Sequence, residues 1–381
     1  MASVAIIHNH PIHYQHLLFA ELASKGMDFE VLFTAESSGA RIGGLPPGKP
    51  EYRYSIGHAG HYESAPWSSS ARYVWQALNR IRPRVVIVSG WADSAAWTGW
   101  LWANSHKAGR ILWAESNIFD HPRRAWAELP KRLFVSRYDL AHVYGTSNSE
   151  YLEKLGMPHE KIRTKRAAVD AALFLGGMAA PGAKSGAIRL LYCGRLSPEK
   201  NLEMLLHAFA GLRQNLESPR MLLKFVGHGP QGDSLRKLAD DLGCEGTVEF
   251  AGSAPQTALP RIFGDSDVLV LPSRSEPWGL VVTEAMLTGL PVAVSNQCGC
   301  AADLVKPETG WIFSPDNEAA LTRLLAGIAD TPREILEEMG RRGRSLASEY
   351  SVENCAKAVL DMVNGLLHVS SGEALVVSEG N

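Results

Sequence analysis

The sequence predicts an α/β protein with two doubly wound domains, each a parallel sheet covered by helices on both faces. Its 381 residues exceed what one compact core comfortably holds. Short, continuously apolar runs alternate with helical patterns, which is typical of parallel strands buried on both faces. A segment rich in Gly, Ala and Pro, residues 176–187, interrupts this alternation near the middle of the chain and predicts an interdomain linker.

Ten apolar runs are predicted as strands, five on each side of that segment. The first five are VAIIH (4–8), FEVLF (29–33), VVIVS (85–89), RILWAE (110–115) and LAHVYG (140–145). The second five are RLLYCG (189–194), LLKFVG (222–227), TVEFAG (247–252), VLVLPS (268–273) and PVAVS (291–295). Right-handed crossovers between parallel strands put helices on both faces. We expect an N-terminal domain over 1–175 that the helix near 350–367 rejoins, a C-terminal domain over 188–349, and a flexible tail over 369–381.

The charge is balanced overall but uneven along the chain. The net charge is −2, which gives no indication of a polyanionic partner such as nucleic acid. Residues 1–180 carry 20 Lys and Arg against 15 Asp and Glu (+5), and residues 181–381 carry 18 against 25 (−7). A basic first half is typical of an ordinary solvated face, or of a surface for an anionic acceptor or a membrane.

The sequence predicts a cytoplasmic protein, with peripheral contact at the inner face of the membrane as the alternative. No apolar run reaches the ~18–20 residues that cross a bilayer. The opening MASVAIIHNH reads as a buried strand and lacks a basic leader. Five cysteines without paired spacing favour a reducing compartment.

Two cations follow the first strand of the second half. In YCGRLSPEKNLEMLLHAF the strand ends at Gly194, Arg195 and Lys200 lie in the loop, and a helix begins after Asn201. Arg offers a planar fork of donors and Lys a point charge, which together suit a diphosphate at a sheet edge.

Two carboxylates flank a Pro-Trp-Gly turn further on, in SRSEPWGLVVTEAM. Pro277 excludes helix at Glu276, so the helix is predicted to begin near Gly279. The amides of Gly279, Leu280 and Val281 would then be available to an anion. Glu284, inside that helix, can accept two hydroxyl hydrogens at once, as a ribose diol requires.

Four runs, taken in order, resemble the C-terminal domain of glycosyltransferase family 4: GRLSPEK (194–200), VGHGP (226–230), SDVLVLPSRSEPWGLVVTEAMLTGLPV (266–292) and CGCAADLV (298–305). The resemblance implies the GT-B fold, in which two Rossmann-like domains face each other across a cleft. It also implies retaining transfer of a sugar from a nucleotide-diphosphate sugar to a hydroxyl acceptor that is a glycan, a lipid-linked compound or a small molecule. No metal and no cofactor are expected.

The resemblance assigns roles to individual residues of the second half. It implies that Arg195 and Lys200 grip the diphosphate, Glu276 contacts the donor sugar and Glu284 holds the ribose. The turn Trp278-Gly279-Leu280 would supply backbone amides. The expected base pocket is the backbone from Gly227 to Pro230, which includes His228 and Gly229, together with Gly252. DSD (265–267) is predicted to be structural because it lies at the start of a strand, where the family pattern carries a structural Asp. CGC (298–300) is predicted to be structural because no Cys or His pair matches it as a metal site needs.

The first half predicts an acceptor side. The loop HNHPIHYQH (8–16) holds four histidines in nine positions, but extended and helical chain do not bring them to one metal. In GT-B proteins this loop faces the cleft, so His10, His13 and Tyr14 are candidates for binding acceptor or donor phosphate. Two other strand ends add the candidates Gly90, Trp91, Asp93, Glu115 and Asn117. Glu115 lies near a position where family members carry an acid or His close to the reacting carbon, which makes it a candidate catalytic group.

Two alternatives remain open at this point. A sugar phosphorylase of the same fold would use phosphate as acceptor, and a nucleotide-sugar-binding protein would have no turnover. A nicotinamide-dependent oxidoreductase is disfavoured because no G-x-G-x-x-G follows either first strand (8–13 read HNHPIH and 194–199 read GRLSPE).

Overall fold

The computed structural model describes residues 2–39, 50–120, 125–176, 186–213 and 221–371. Within them the chain forms two sheets in which every pairing of neighbouring strands is parallel. The predicted fold class, two doubly wound α/β units, is therefore observed.

The first sheet has seven strands in the order β3-β2-β1-β4-β5-β6-β7. The strands are β1 (Val4–His8), β2 (Phe29–Phe33), β3 (Arg53–Ile56), β4 (Val85–Ser89), β5 (Gly109–Ala114), β6 (Leu140–Val143) and β7 (Ile162–Arg163). In β1, Val4 is opposite Phe29 on one side and Val85 on the other. The strand order reverses between β1 and β4, so the loops after these two strands border a crevice where open α/β sheets bind ligands.

The second sheet has six strands in the order β10-β9-β8-β11-β12-β13. They are β8 (Ile188–Cys193), β9 (Met221–Val226), β10 (Val248–Gly252), β11 (Val268–Leu271), β12 (Val292–Ser295) and β13 (Gly310–Phe313). Here the order reverses between β8 and β11. The loops after β8 and β11 carry the two cations and the Pro-Trp-Gly turn, so the topology alone brings these motifs together.

Fourteen α-helices connect or follow these strands in the described residues. They are α1 (His13–Ser24), α2 (Trp67–Ile81), α3 (Ser94–Ser105), α4 (Ala125–Val135), α5 (Thr146–Lys154), α6 (Ala171–Leu175), α7 (Leu202–Arg213), α8 (Gly232–Asp241), α9 (Leu259–Gly264), α10 (Leu280–Leu287), α11 (Ala301–Leu304), α12 (Glu318–Ala329), α13 (Arg333–Ala347) and α14 (Val352–Ser371). Within the described chain, none of the helices is both long and apolar enough to cross a bilayer.

The last helix returns to the first sheet. Val352, Cys355, Val359 and Val363 of α14 are buried in one cluster with residues of β1, β2 and α1. The predicted linker 176–187 and tail 369–381 lie mostly outside the described residues, so the domain limits stay a prediction.

Three strands, β3, β7 and β13, were not predicted from the sequence. Two of them, β3 and β13, carry side chains that are exposed or only partly buried, and β7 has two residues. All three are at or next to the edge of a sheet, where one side or face meets solvent and a continuous apolar run is not required.

Candidate active site

The loops after β8 and β11 meet in an ion pair. The Lys200 ammonium lies 2.5 Å from a carboxylate oxygen of Glu276, and 15% of each side chain is exposed. Lys200 ends a 3₁₀ turn over Pro198–Lys200 that follows β8. The next residue, Asn201, has φ 58° and its buried amide donates to the carbonyls of Pro272 and Pro315. These bonds fix where the loop after β8 ends and hence where Lys200 lies.

Arg195 lies on the exposed side of the same loop. The Tyr192 hydroxyl donates to the Arg195 carbonyl at 2.6 Å, which anchors the backbone there. Burial alone would raise the pKa of the nearby Glu199 carboxyl. Its pKa is nevertheless below the usual value, because a hydrogen bond from Ser197, a backbone amide and the positive charges of Lys200 and Arg195 stabilise the carboxylate. The two predicted phosphate-binding cations are therefore neighbours.

The turn before α10 presents backbone donors beside this ion pair. Gly279 has φ +93°, and a Cβ at that position would lie 3.4 Å from Glu276 Cγ. The Val282 amide donates to the Gly279 carbonyl, whereas the amides of Gly279, Leu280 and Val281 have no acceptor among the described residues. Unsatisfied amides at the positive end of a helix dipole favour an anion.

The Trp278 side chain points away from this anion site. It is 1% exposed, its indole N–H donates to the Thr283 hydroxyl, and its ring packs on Tyr144 (centroids 5.9 Å apart) and Tyr350 (5.1 Å). Trp278 therefore anchors the turn, and only its backbone borders the predicted donor site.

Glu284 lies one turn into α10, beside the end of β8. Burial raises the pKa of its carboxyl to about 7. The pKa of the Cys193 thiol is also raised, mainly by burial and further by the negative charge of Glu284. No described side chain or amide donates a hydrogen bond to its carboxylate. A partly buried carboxylate without a donor is suited to accepting hydroxyl hydrogens from a ligand.

Gly227 and Gly229 have a packing role that the sequence did not reveal. A Cβ on Gly227 would lie 1.9 Å from the Gly194 carbonyl oxygen, and one on Gly229 would lie 2.3 Å from that of Leu196. The loops after β8 and β9 thus touch through their backbones. Exposed His228 is held by the Ser253 hydroxyl at 2.7 Å. Whether these three residues also contact a base stays a prediction.

A pocket of about 260 Å³ lies where the order of the first sheet reverses. It brings together the predicted residues His10, Gly90, Trp91, Asp93 and Glu115, together with His8. The Asp93 oxygens accept from the Ala96 amide (2.8 Å) and the Tyr62 hydroxyl (2.9 Å), so this carboxylate also caps α3.

Three predicted residues of the first half are not among those lining the pocket. His13 is exposed as the first residue of α1. Tyr14 is hydrogen-bonded to Tyr144. Asn117 is fully buried, and its amide donates to the carbonyls of Glu276 (3.0 Å) and Pro277 (3.3 Å). Asn117 thus joins the first sheet to the turn of the second.

Arg166 is a site residue that sequence reasoning missed. Its guanidinium, in a side chain 4% exposed, lies 3.2 Å from a Glu115 oxygen and packs over the rings of Trp113 and Tyr144. Burial works against its charge, but Tyr144 and Glu115 raise its pKa. The signal in the sequence that could have indicated it is the Lys-Arg pair of KRAAVD (165–170), which lies just before the predicted linker.

Other hydrogen bonds also join the N-terminal half of the chain to the C-terminal half. The Thr146 amide and hydroxyl donate to Asp303 (3.0 and 2.8 Å), and the Ser147 hydroxyl donates to the Gly299 carbonyl (3.1 Å). A Cβ on Gly299 would lie 2.0 Å from the Pro277 carbonyl oxygen. The CGC loop therefore packs on the Pro-Trp-Gly turn, and burial raises the pKa of both its thiols.

The remaining histidines of the 8–16 loop are packed individually. His8 contacts Gln15, and His16 contacts the Tyr52 hydroxyl. Burial lowers the pKa of His8 to about 3, so its ring is neutral. In the part of the chain that the structure describes, no three His, Cys, Asp or Glu side chains are grouped as metal ligands. In the DSD motif (265–267), the Asp267 carboxylate accepts a hydrogen bond from the Arg333 guanidinium at 2.6 Å.

Two doubly wound sheets joined at their ligand-binding edges define the class of GT-B glycosyltransferase folds. Sucrose-phosphate synthase from Thermosynechococcus elongatus superposes with a TM-score of 0.78 at 20% identity, over 97% of this chain and all of that one. HepE from Anabaena, solved with UDP and glucose, superposes with a TM-score of 0.71 at 15% identity, over 96% of this chain and all of that one. The predicted GT-B fold is confirmed.

The second half of the chain is similar to the group 1 glycosyltransferases, which supports the predicted resemblance to glycosyltransferase family 4. Residues 178–346 match the family described as "Glycosyl transferases group 1". D-inositol 3-phosphate glycosyltransferase of Streptomyces avermitilis is 30% identical over 292 residues, which are 72% of this chain and 62% of that protein. The chain matches 45% to 62% of the length of the inositol-phosphate relatives from S. scabiei and S. avermitilis.

Proposed function

We propose that this protein transfers a sugar from a nucleotide-diphosphate sugar to a hydroxyl acceptor, with retention at the anomeric carbon and without a metal. The observation that carries this proposal is the combination at the edge of the second sheet. Lys200 lies beside Glu276, Arg195 is in the same loop, and the open amides of α10 adjoin them. Two cations and a helix start are a site for a diphosphate.

The donor site divides into three parts. Lys200, Arg195 and the amides of Gly279–Val281 stabilise the negative charge that grows on the departing diphosphate, in place of a metal ion. Glu284 accepts the ribose hydroxyls. Glu276, on the other side of the phosphates, accepts hydroxyls of the sugar.

In the transfer step, the bond from the anomeric carbon to the phosphate oxygen breaks and a bond to the acceptor oxygen forms. The acceptor's proton passes to the leaving phosphate on the same face of the sugar, which gives retention. Glu115, held by Arg166, orients the acceptor or stabilises positive charge at the sugar ring.

The nucleotide proposed first is UDP, because structures of the fold neighbour HepE contain UDP and UDP-glucose. A thermal-shift series with UDP-, GDP-, ADP- and dTDP-glucose tests this choice. A ligand at 100 times its Kd stabilises a protein by about 2.7 kcal/mol. A rise in Tm with UDP-glucose supports the proposal, and no rise with any nucleotide sugar contradicts it.

Turnover assays separate the alternatives. Slow release of UDP without acceptor excludes a binding protein without turnover. Formation of sugar 1-phosphate from donor and inorganic phosphate would identify a phosphorylase. Arg195→Ala should lower turnover by about 10²-fold, the scale for one donor to developing charge. Arg261→Ala is the matched control, since Arg261 is an exposed partner of Asp265 on α9.

We also propose a reducing compartment such as the cytoplasm and a peripheral contact with anionic membranes. The five cysteines are buried free thiols, which suits a reducing environment.

The exposed apolar side chains of α4 support the membrane contact. On this helix, Trp126, Leu129 and Leu133 are 73%, 68% and 52% exposed and follow each other at helical spacing. Arg132 and Arg137 are exposed nearby.

Vesicle co-sedimentation tests the membrane contact. The protein should sediment with phosphatidylglycerol vesicles, and Trp126→Ser should reduce this binding because it removes an apolar side chain from the stripe. Trp67→Ser is the control, because Trp67 is 67% exposed on α2. Equal binding by both variants would contradict the contact through α4.

A further inference from the structure

The loop after β5 is held firmly within the first half of the chain. On α5, the fully buried Asn148 side chain donates to the carbonyls of Glu115 (2.8 Å) and Ser116 (3.1 Å). The Asp120 carboxylate accepts from the backbone N–H of Asn117 at 2.8 Å. Because hydrogen bonds hold both the start and the middle of this loop, the backbone of Asn117 has a fixed position relative to β5 and α5.

The hydrogen-bond partners of Asn117 determine which way its side-chain amide points. The side chain is fully buried, and its Oδ1 accepts from the Phe119 backbone N–H at 2.8 Å. Its Nδ2 faces the carbonyls of Glu276 (3.0 Å) and Pro277 (3.3 Å), which can only accept. A flipped amide would place its oxygen against two carbonyl oxygens and its NH2 group against an N–H. The NH2 group of Asn117 therefore points toward the second half.

The Glu276 carbonyl accepts hydrogen bonds from both halves of the chain. The Gly299 N–H donates to it at 2.9 Å from the second half, and Asn117 donates to it from the first. In the same turn, the Trp278 carbonyl accepts from the Cys300 N–H at 3.0 Å. The second half therefore supports this turn with its own backbone amides, and Asn117 adds a fixed connection to the first half.

Asn117 connects two carboxylates to which the proposed reaction assigns a role at the sugar. Glu115 lies two residues before it and is proposed to orient the acceptor or to stabilise positive charge at the sugar ring. Glu276 is proposed to accept hydroxyls of the donor sugar. Ser116, the Asn117 side chain and one 3.0 Å hydrogen bond connect the backbones of these two residues. The cations and open amides proposed to hold the diphosphate, in contrast, all belong to the second half.

We propose, on the basis of the function proposed above, that Asn117 is a positioning residue that fixes Glu276 relative to Glu115 for sugar transfer. It acts through the backbone carbonyls of the turn and needs no contact with the donor. A displacement of about 1 Å at a reacting group can lower turnover by about 10²-fold. Loss of the Asn117 amide should therefore lower kcat and leave the binding of the nucleoside diphosphate unchanged.

Asn117→Ala tests this role with UDP-glucose, the donor proposed first. The kcat for UDP release should fall about tenfold or more, whereas the calorimetric Kd of UDP should stay close to that of the wild type. Thr146→Val is the control, because it removes another hydrogen bond between the halves, from the Thr146 hydroxyl to Asp303. Wild-type kcat in Asn117→Ala, or an equal loss in the control, would overturn the proposal. A parallel loss of UDP affinity would also overturn it, since the whole turn would then have shifted.

A role in folding alone is separated by counting sites. The calorimetric stoichiometry of UDP gives the folded sites in each variant, so a smaller folded fraction does not mimic a lower kcat. Reduced stability with a normal kcat per site would make Asn117 purely structural and overturn the proposal. No release of nucleotide by the wild type from UDP-, GDP-, ADP- or dTDP-glucose would contradict the proposed function itself, and the positioning role would fall with it.

A second variant, Asn117→Asp, reports on the donated hydrogen. The new carboxylate would turn an oxygen toward the two carbonyls, whereas its protonated form has an O–H that can donate to them. Burial raises the pKa of such a carboxyl. The ratio of kcat in Asn117→Asp to kcat in Asn117→Ala should therefore rise above one as the pH is lowered from 8 to 5.5. Titration of Asp120, Glu115 and Glu276 occurs in both variants and cancels in this ratio. A ratio at or below one at both pH values would overturn the proposal.

Discussion

Lys200 and Glu276, 76 residues apart in sequence, form a 2.5 Å ion pair at the edge of the second sheet. The pair arises because β8 and β11 are neighbours at the reversal of strand order. In the proposed function the two side chains bind different parts of one donor, the diphosphate and the sugar. Without ligand, each neutralises the other.

This relationship predicts opposite effects of Glu276→Gln on two ligands. UDP alone should bind more tightly, because a negative charge beside the diphosphate is removed and Lys200 is released. The gain is about 1 kcal/mol, roughly fivefold, for unit charges near 4 Å in water. Turnover of the nucleotide sugar should fall about tenfold or more, since a charged hydrogen bond to the sugar contributes about 1.5–3 kcal/mol.

Calorimetry with UDP and a turnover assay measure these two effects. The control is Glu249→Gln, which breaks an exposed pair with Lys224 on the same sheet. Weaker UDP binding in Glu276→Gln would contradict the competition between the carboxylate and the phosphates.

Glu284 predicts a pH dependence of donor binding. Burial raises its pKa to about 7 in the unbound protein, and the ribose diol donates to the ionised form. Affinity should therefore fall as pH drops below about 7, by up to tenfold per pH unit. An intact nucleotide sugar is the ligand to use, because its diphosphate does not titrate in this range.

Glu284→Gln should remove that pH dependence between pH 5.5 and 8, as followed by calorimetric titration. The effect of this titration on folding stability has the opposite sign to that of an acid stabilised by an ion pair. Because the pKa is raised in the folded state, burying the ionised carboxylate lowers the free energy of unfolding. This destabilisation is absent below the unfolded pKa of about 4.5 and reaches its full value above about pH 7. An unchanged pH profile in the variant would assign the titration to another group.

Much of the fold follows from the sequence because central strands are apolar on both faces. All ten predicted strands exist: three have the predicted ends, and the ends of the other seven differ by one or two residues. The edge strands β3 and β13 and the two-residue β7 lack that continuous pattern. The motifs of the second half predicted the neighbours Lys200, Glu276 and Gly279, because motif spacing and strand order together place them.

The rest of the site depends on contacts between distant segments. Arg166 follows β7, yet its partner Glu115 follows β5, and nothing local in the sequence joins them. The sequence predicts a donor-site role for Trp278 through its backbone, and only the structure shows that its ring packs on Tyr144 from the other half. Gly227 and Gly229 are predicted ligand contacts that nothing here tests, and the structure adds that both permit two loops to touch through their backbones.

Arg166→Met should destabilise the protein by about 2 kcal/mol. Breaking a fully buried pair costs about 3–5 kcal/mol, and the Glu115 side chain is 28% exposed, which lowers the cost. Urea unfolding of the two single variants and of Arg166→Met combined with Glu115→Gln measures their coupling. Additive effects would show that the pair is not coupled, and that Arg166 acts only through packing on Trp113 and Tyr144.

The most direct test of the diphosphate site is the calorimetric Kd of UDP for Lys200→Ala and Arg195→Ala, with Lys224→Ala as the control. A charged hydrogen bond to phosphate contributes about 1.5–3 kcal/mol, so each site variant should bind UDP at least about tenfold more weakly, with the control unchanged. Wild-type affinity in both site variants would contradict the assignment of these cations to the donor phosphates.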